Sequence, residues 1–172
     1  MHILDRIKTP DELAEIIEKE KTAGKKVVFT NGVFDFVHPG HMEYMEKARA
    51  LGDMMVVALN SDASVKRIKG PSRPINSELD RAFILAATRC IDYVCIFEED
   101  DPSNIIAKLK PSIHTKGGDY DPEKMPETKV VRENGGEVII IPLKDGYSNS
   151  KQFKKIKELR EEGVKRAAHL AG

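Results

Sequence analysis

Two histidines three residues apart, His38 and His41, flank Pro39-Gly40 just after a short apolar run, and a helical pattern starts at once. The full stretch reads Thr30-Asn31-Gly32-Val33-Phe34-Asp35-Phe36-Val37-His38-Pro39-Gly40-His41. A lone histidine is most often a packed core residue, but two imidazoles at a strand-to-helix turn can aim at one anion. Gly40 opens the helix, whose first N–H groups and dipole favour negative charge. Gly32 lets the backbone approach a ligand closely or take a positive φ. The same two histidines could ligate a metal, but no third ligand lies near in sequence and the usual helical zinc pair is four apart. Phosphate contact is the reading these residues favour. The chain holds neither a Walker A loop nor a G-x-G-x-x-G fingerprint, so those nucleotide sites are not supported.

Three later segments suit the same chemistry. Lys66, Arg67, Lys69 and Arg73 read as a basic loop punctuated by Gly and Pro, able to close over phosphates and neutralise charge as it builds. In Lys116-Gly117-Gly118-Asp119-Tyr120 the adjacent glycines allow a nest of backbone N–H groups beside the Lys116 charge, although a tight turn is the plainer reading. Ser148-Asn149-Ser150 opens a last helical pattern, where hydroxyls and free N–H groups suit the distal phosphates of a triphosphate. No Ser-His-Asp arrangement and no obvious covalent nucleophile is present.

These segments need a frame. Apolar runs at 26–30, 54–60, 93–97, 112–115 and 137–141 read as buried strands. Helical patterns fall between them at 40–51, 77–88, 101–110 and 126–134, with a final one from about Ser148. A further helix precedes the first strand. It starts at Thr9-Pro10-Asp11-Glu12, carries Leu13, Ile16 and Ile17, and stops at Gly24. Five strands alternating with helices predict a Rossmann-like, doubly wound α/β domain, a five-stranded parallel sheet with helices on both faces. Ligands of such sheets bind beyond the carboxyl ends of the strands, where the segments above fall.

Segment 32–41 resembles the G-x-F-D-x-x-H-x-G-H signature of the nucleotidyltransferase superfamily that includes cytidylyltransferases, pantetheine-phosphate adenylyltransferases and archaeal FAD synthases. Asn60-Ser61-Asp62-Ala63-Ser64, Lys69-Gly70 with Arg73-Pro74, Asp80-Arg81 and Lys116-Gly117-Gly118-Asp119-Tyr120 are similar, in this order, to one branch. That branch is the D-glycero-β-D-manno-heptose 1-phosphate adenylyltransferases, found alone or as the C-terminal half of a bifunctional kinase/adenylyltransferase. The resemblance covers about residues 25–159. The chain then reads as a single nucleotidyltransferase domain over 1–172, with a helical extension over 1–24, a catalytic α/β unit over 25–160 and a tail over 161–172.

The resemblance implies transfer of AMP from ATP to a sugar 1-phosphate, giving ADP-heptose and pyrophosphate. It assigns catalysis to His38, His41, Lys66, Lys69 and Arg81. Thr30, Asn31, Gly32, Val33, Phe34 and Gly40 join the two histidines at the nucleotide. So do Lys116, Gly117, Gly118 and Asp119, and Ser148, Asn149 and Ser150. Asp35, Asn60, Asp62 and Arg73 fall to the acceptor. Mg²⁺ rides mainly on ATP oxygens, since the sequence shows no dedicated carboxylate cage. Relatives commonly form dimers, so a homodimer is expected. Two residues depart from the pattern. Asn149 stands where a hydroxyl residue is usual, and His114 where a strand residue is usually apolar, which reads as a packing variant. The alternatives are glycerol-3-phosphate cytidylyltransferase, FAD synthase and, from another class, a catalytically silent nucleotide-binding regulator. Intact His38, His41 and Arg81 speak against the regulator.

Composition narrows the remaining classes. At 172 residues, 40% hydrophobic and 33% charged, the chain suits one globular domain. Its 28 Lys+Arg balance 28 Asp+Glu, so no net field draws nucleic acid or an anionic membrane. No apolar run approaches the roughly 20 residues needed to span a bilayer. The N-terminus shows no signal-type apolar region, so a cytoplasmic location is expected. Cys90 and Cys95 have neither metal-type nor redox-type spacing and read as buried thiols of a reducing compartment.

Overall fold

The computed structural model describes residues 2–143 and 149–170, with side chains in the last stretch described over 152–162. A 3₁₀ turn at Ile3–Arg6 precedes α1 (Pro10–Thr22), β1 (Val27–Gly32), α2 (Pro39–Arg49) and β2 (Met54–Asn60). Then come α3 (Asp62–Lys69), α4 (Glu78–Ala86), β3 (Tyr93–Phe97), α5 (Ser103–Leu109) and β4 (Ile113–Gly117). A second 3₁₀ turn at Pro122–Lys124 leads to α6 (Pro126–Glu133), β5 (Glu137–Ile141) and α7 (Asn149–Leu170). The strands form one sheet in the order β3-β2-β1-β4-β5, and every pair is parallel.

Successive side chains of a strand point to opposite faces, and both faces of this sheet are apolar. Val28, Met55, Val57 and Leu59 pack against Tyr44, Met45 and Ala48 of α2 and Ala82, Leu85 and Ala86 of α4. Phe29, Val56 and Ala58 pack on the other face against α1, α5 and α6. Helices therefore cover both faces, as the alternation predicts. Asp92 accepts a hydrogen bond from Met55 N at 2.8 Å and pairs with Arg49, acting as a structural partner. Cys95 is buried, and burial pushes its thiol up to about 12; Cys90 is only half-buried.

Local signals explain most boundaries. The Thr9–Glu12 capping box forms in both directions, with Pro10 at the first helical position. Residues 1–24, read as an extension, are stitched into the domain. Leu13 and Ile17 are fully buried against the sheet, and burial of such a side chain is worth about 1.5–3 kcal/mol. Ile7 pairs with Val94, and Lys8 N donates to Val94 O at 2.9 Å. At the other end, α7 continues to Leu170, through residues read as a tail.

Three differences bear on the site. The loop expected to carry Lys66, Arg67 and Lys69 is instead α3, a helix capped by Ser61, whose hydroxyl accepts from Ser64 N at 3.2 Å. Its buried face is small, Ser64 and Val65, so the run of cations masks the helical period. β1 extends through Asn31 and Gly32 because it stays in register with β2 as far as Gly32 opposite Leu59. β4 likewise extends through Lys116 and Gly117, opposite Ile140 and Ile141.

Chain order reverses direction at β1. From β1 the chain winds outward to β2 and β3, then crosses back to β4 on the other side. The gap beyond the carboxyl ends of β1 and β4 is thus the topological switch point of the sheet, where such folds bind ligands.

Candidate active site

A cleft of about 520 Å³ opens at this switch point. Its floor is Thr30, Asn31 and Gly32 of β1 with Lys116 and Gly117 of β4. Val33, Phe34 and His41 form one wall, and Asn60, Lys69 and Arg73 contribute from the β2 side. Three cations and the start of α2 thus surround one cavity, which suits a polyphosphate.

The turn into α2 is built around its two imidazoles. His38 caps the helix, its Nδ1 accepting from His41 N at 3.3 Å, which leaves the proton of the neutral ring on Nε2. His41 stacks on His38, with ring centroids 3.7 Å apart. Burial pushes His38 below its ordinary value, and burial together with the neighbouring His38 pushes His41 down to about 4. The pair is therefore neutral at pH 7 in the free protein. His41 lines the cleft, and His38 supports it from behind.

Two backbone features hold His41 in place. Phe34 has φ +45°, a left-handed conformation that costs a non-glycine residue of order 1–3 kcal/mol. It lets the Phe34 ring fold over Gly32 and meet His41 edge-on, at 5.3 Å between centroids. A Cβ at Gly32 would come within 2.9 Å of Phe34 Cε2, so a larger residue there would push that ring off its present seat against His41. On the far side, the Tyr44 hydroxyl shares hydrogen bonds with Thr30 Oγ1 (2.7 Å) and Thr115 Oγ1 (2.9 Å). That network ties α2 to both β1 and β4.

Not every expected residue faces the cleft. Arg81, read as a phosphate contact, is fully buried and its guanidinium is committed to protein oxygens. It donates to Asn76 O (3.1 Å), Val33 O (2.6 Å), Asn60 O (2.9 Å) and Asp62 Oδ1 (2.7 Å). It clamps the ends of β1 and β2 to the start of α4, and Asp62 is its partner. Asp35, read as an acceptor contact, is also buried. It accepts from Ile75 N and Asn76 N and pairs with Arg73 Nε at 2.8 Å. Burial alone would raise its carboxyl, but the N–H groups of Asn76 and Ile75 with Arg73 outweigh that and hold it below the usual range. Asp35 therefore aims the 73–76 loop and, through Arg73, reaches the cleft at second hand.

The cations divide in the same way. Lys69 lines the cleft; Lys66 is exposed on α3 away from it, and Arg67 is engaged with Asp100 at 2.9 Å. Lys116 lines the cleft while pairing at 3.2 Å with Glu127, a buried carboxylate of α6. Gly118 adopts φ +131° and Asp119 is exposed; neither lines the cavity, although Tyr120 does. Gly40 is buried inside the first turn of α2. Ser148 lies outside the described residues, as do the side chains of Asn149 and Ser150, the first two residues of α7.

Sequence reasoning missed Tyr44, Ile68, Asp100 and Leu143, all of which line the cleft. Only Tyr44 carried a usable signal, a hydroxyl on the apolar face of a helix. Among the described residues, no group of three or more His, Cys, Asp or Glu side chains is placed to hold a metal. Among them also, no helix is long and apolar enough to cross a membrane.

A family model described as cytidylyltransferase-like matches residues 29–162. The bifunctional protein HldE of Pelobacter propionicus is 52% identical over 153 residues, which is 89% of this chain and 31% of that protein. HldE of Actinobacillus succinogenes is 44% identical over 155 residues, covering 90% of this chain and 33% of that protein. The chain thus spans about a third of the length of the curated relatives it matches. Among solved structures, the lipopolysaccharide core biosynthesis protein of Thermoplasma volcanium superposes with a TM-score of 0.59 at 28% identity. It covers 73% of this chain and 100% of that one. A pantoate-β-alanine ligase of Francisella tularensis shares the fold alone, with a TM-score of 0.57 at 12% identity, over 81% of this chain and 67% of that one.

Proposed function

Because this chain belongs to the cytidylyltransferase-like family and is a nucleotidyltransferase, we propose that it transfers AMP from ATP to D-glycero-β-D-manno-heptose 1-phosphate, giving ADP-heptose and pyrophosphate. The observation that carries the reading is the convergence of His41, Lys69, Arg73 and Lys116 on one cavity at the switch point of the sheet.

The reaction needs little from the protein by way of proton transfer. A sugar phosphate oxygen is already anionic near neutral pH and attacks the α-phosphorus of ATP in line, forming the new P–O bond as the bond to pyrophosphate breaks. Catalysis then rests on positioning and on stabilising charge in a loose transition state. His41, braced by His38, and the N-terminus of α2 meet the triphosphate. Lys69 and Lys116 neutralise oxygens that gain charge. Arg73, aimed by Asp35, and Asn60 face the acceptor. Arg81 and Asp62 hold the strand ends that carry these groups. Ser148, Asn149 and Ser150 hold the leaving pyrophosphate. Mg²⁺ enters with ATP as part of the substrate. The reading carries with it a homodimer in the cytoplasm.

Pyrophosphate release in a matrix of the four nucleoside triphosphates against heptose 1-phosphate, glycerol 3-phosphate and FMN tests the proposal. ATP with heptose 1-phosphate is the expected productive pair. Turnover confined to CTP with glycerol 3-phosphate, or to ATP with FMN, would replace it. Nucleotide binding without release from any pair would make the protein a regulator.

A further inference from the structure

We propose that His114 is a positioning residue for the nucleotide: its Nε2–H holds Asn31 Oδ1, and so turns the Asn31 amide N–H groups to the cleft as donors. The inference rests on the reading of the cleft as an ATP site and concerns a residue that the reaction itself does not use.

His114 lies on β4, opposite Phe29 of β1, and is fully buried. Its ring tilts against Phe29, with centroids 5.4 Å apart. Such a slot favours an apolar side chain, because an imidazole there must satisfy two ring nitrogens. Here Nε2 lies 3.3 Å from Asn31 Oδ1, while Nδ1 is buried without a partner among the described residues. Burial, with the Lys116 charge nearby as the smaller cause, pushes His114 down to about 3, so the ring is neutral and carries one proton.

The position of that proton follows from its neighbours. On Nδ1 it would have no acceptor, and Nε2 would face Asn31 as an acceptor. On Nε2 it reaches a carbonyl oxygen, which is the better arrangement. Asparagine presents an oxygen on one branch and an NH₂ on the other. Holding the oxygen inward against His114 therefore sets the amide nitrogen on the side of the cleft that Asn31 lines. An amide free to flip would offer its oxygen to phosphate half the time and repel it. A buried imidazole that stays neutral at working pH is a lasting lock against that flip.

Two measurements test this. In the wild-type chain, ¹⁵N shifts of the His114 ring should report a neutral Nε2–H tautomer across pH 5–8; an Nδ1–H tautomer would overturn the proposal without reference to activity. ATP dissociation constants would then be compared for wild type, His114→Leu, Asn31→Ala and the double variant. Asn31→Ala should weaken binding by about 10-fold or more, the loss of one hydrogen bond to a charged group, and His114→Leu by about twofold, because a freely flipping amide is competent half the time, with the double variant no weaker than Asn31→Ala. His114→Gln, which restores an N–H near the same place, should recover most of the affinity. Multiplying losses in the double variant, or wild-type affinity in a folded His114→Leu, would overturn the proposal. A wild-type chain that does not bind ATP would remove the ATP reading, and this inference with it.

Discussion

The imidazole rings of His38 and His41 stack nearly parallel, with centroids 3.7 Å apart and planes 14° apart. Burial, and for His41 the neighbouring ring as a smaller cause, keeps the pair neutral in the free protein. A bound polyphosphate changes that balance by supplying the opposing charge. His41→Ala should lower kcat by roughly 10²–10³, the loss seen when one preorganised donor is removed. Steady-state rates on a folded variant check this, and near wild-type turnover would take His41 out of the chemistry.

Lys66 and Lys69 lie on one helix, but only Lys69 lines the cleft. Lys69→Ala should reduce kcat well beyond any change in KM, because its charge is used where negative charge develops. Lys66→Ala should alter both constants by less than about threefold, as expected for an exposed charge in screening solvent. The opposite ranking would mean that α3 rotates or unwinds when ATP binds.

Arg81 is committed to four protein oxygens, with its side chain fully buried and Asp62 part-exposed. Arg81→Leu should therefore cost stability before it costs chemistry. The expected loss is about 3 kcal/mol, the low end for breaking a buried pair because Asp62 keeps some water. Urea denaturation measures it. Unchanged stability with lost activity would return Arg81 to the phosphates.

The Arg73 guanidinium carbon sits 3.9 Å above the Phe153 ring, and Phe153 meets Phe36 edge-on at 5.3 Å. The contact links the signature turn, the 73–76 loop and α7. A cation–π contact of this kind is worth about 0.5–2 kcal/mol. Phe153→Leu should accordingly raise the acceptor KM by about 3- to 10-fold with a smaller effect on kcat. An unchanged KM would show that Asp35 alone aims Arg73.

Stability should fall as pH is lowered below neutrality. Folding pushes His41 from 6.5 to about 4 and His114 from 6.5 to about 3. Between those values the unfolded chain binds protons that the folded chain refuses, so acid favours unfolding. The contribution is whole above about pH 6.5 and is lost progressively down to about pH 4 for His41 and pH 3 for His114. Denaturation midpoints at steps of pH should show this slope, shallower in His114→Leu. Equal slopes in the two proteins would mean that His114 does not resist protonation.

Much of the frame was readable from short stretches of chain. β2, β3 and β5 are apolar runs whose bounds could be read directly, although β5, at the sheet edge, buries only Ile141 and not the whole run expected; Thr9 with Glu12, and Ser77 before α4, announce their helices. The signature 32–41 located the turn that bears His38 and His41. α3 escaped because its buried face is only Ser64 and Val65, too little apolar surface to show a period through three cations.

What the amino-acid order determined alone is governed by near neighbours: the five strands, the helices other than α3, and caps such as Thr9 and Ser77. Tertiary structure alone decided which polar groups still have capacity for a ligand. Arg81 and Lys69 look alike as cations in sequence, yet one is committed to backbone oxygens of residues 33, 60 and 76 and the other lines the cleft. His114 reads in sequence as a packing variant and is fully buried against Phe29, but only the folded sheet shows that its ring also reaches Asn31. The physical reason is range: hydrophobic period and capping act within a few residues, whereas desolvation and hydrogen-bond partners depend on strands that meet only in the folded sheet.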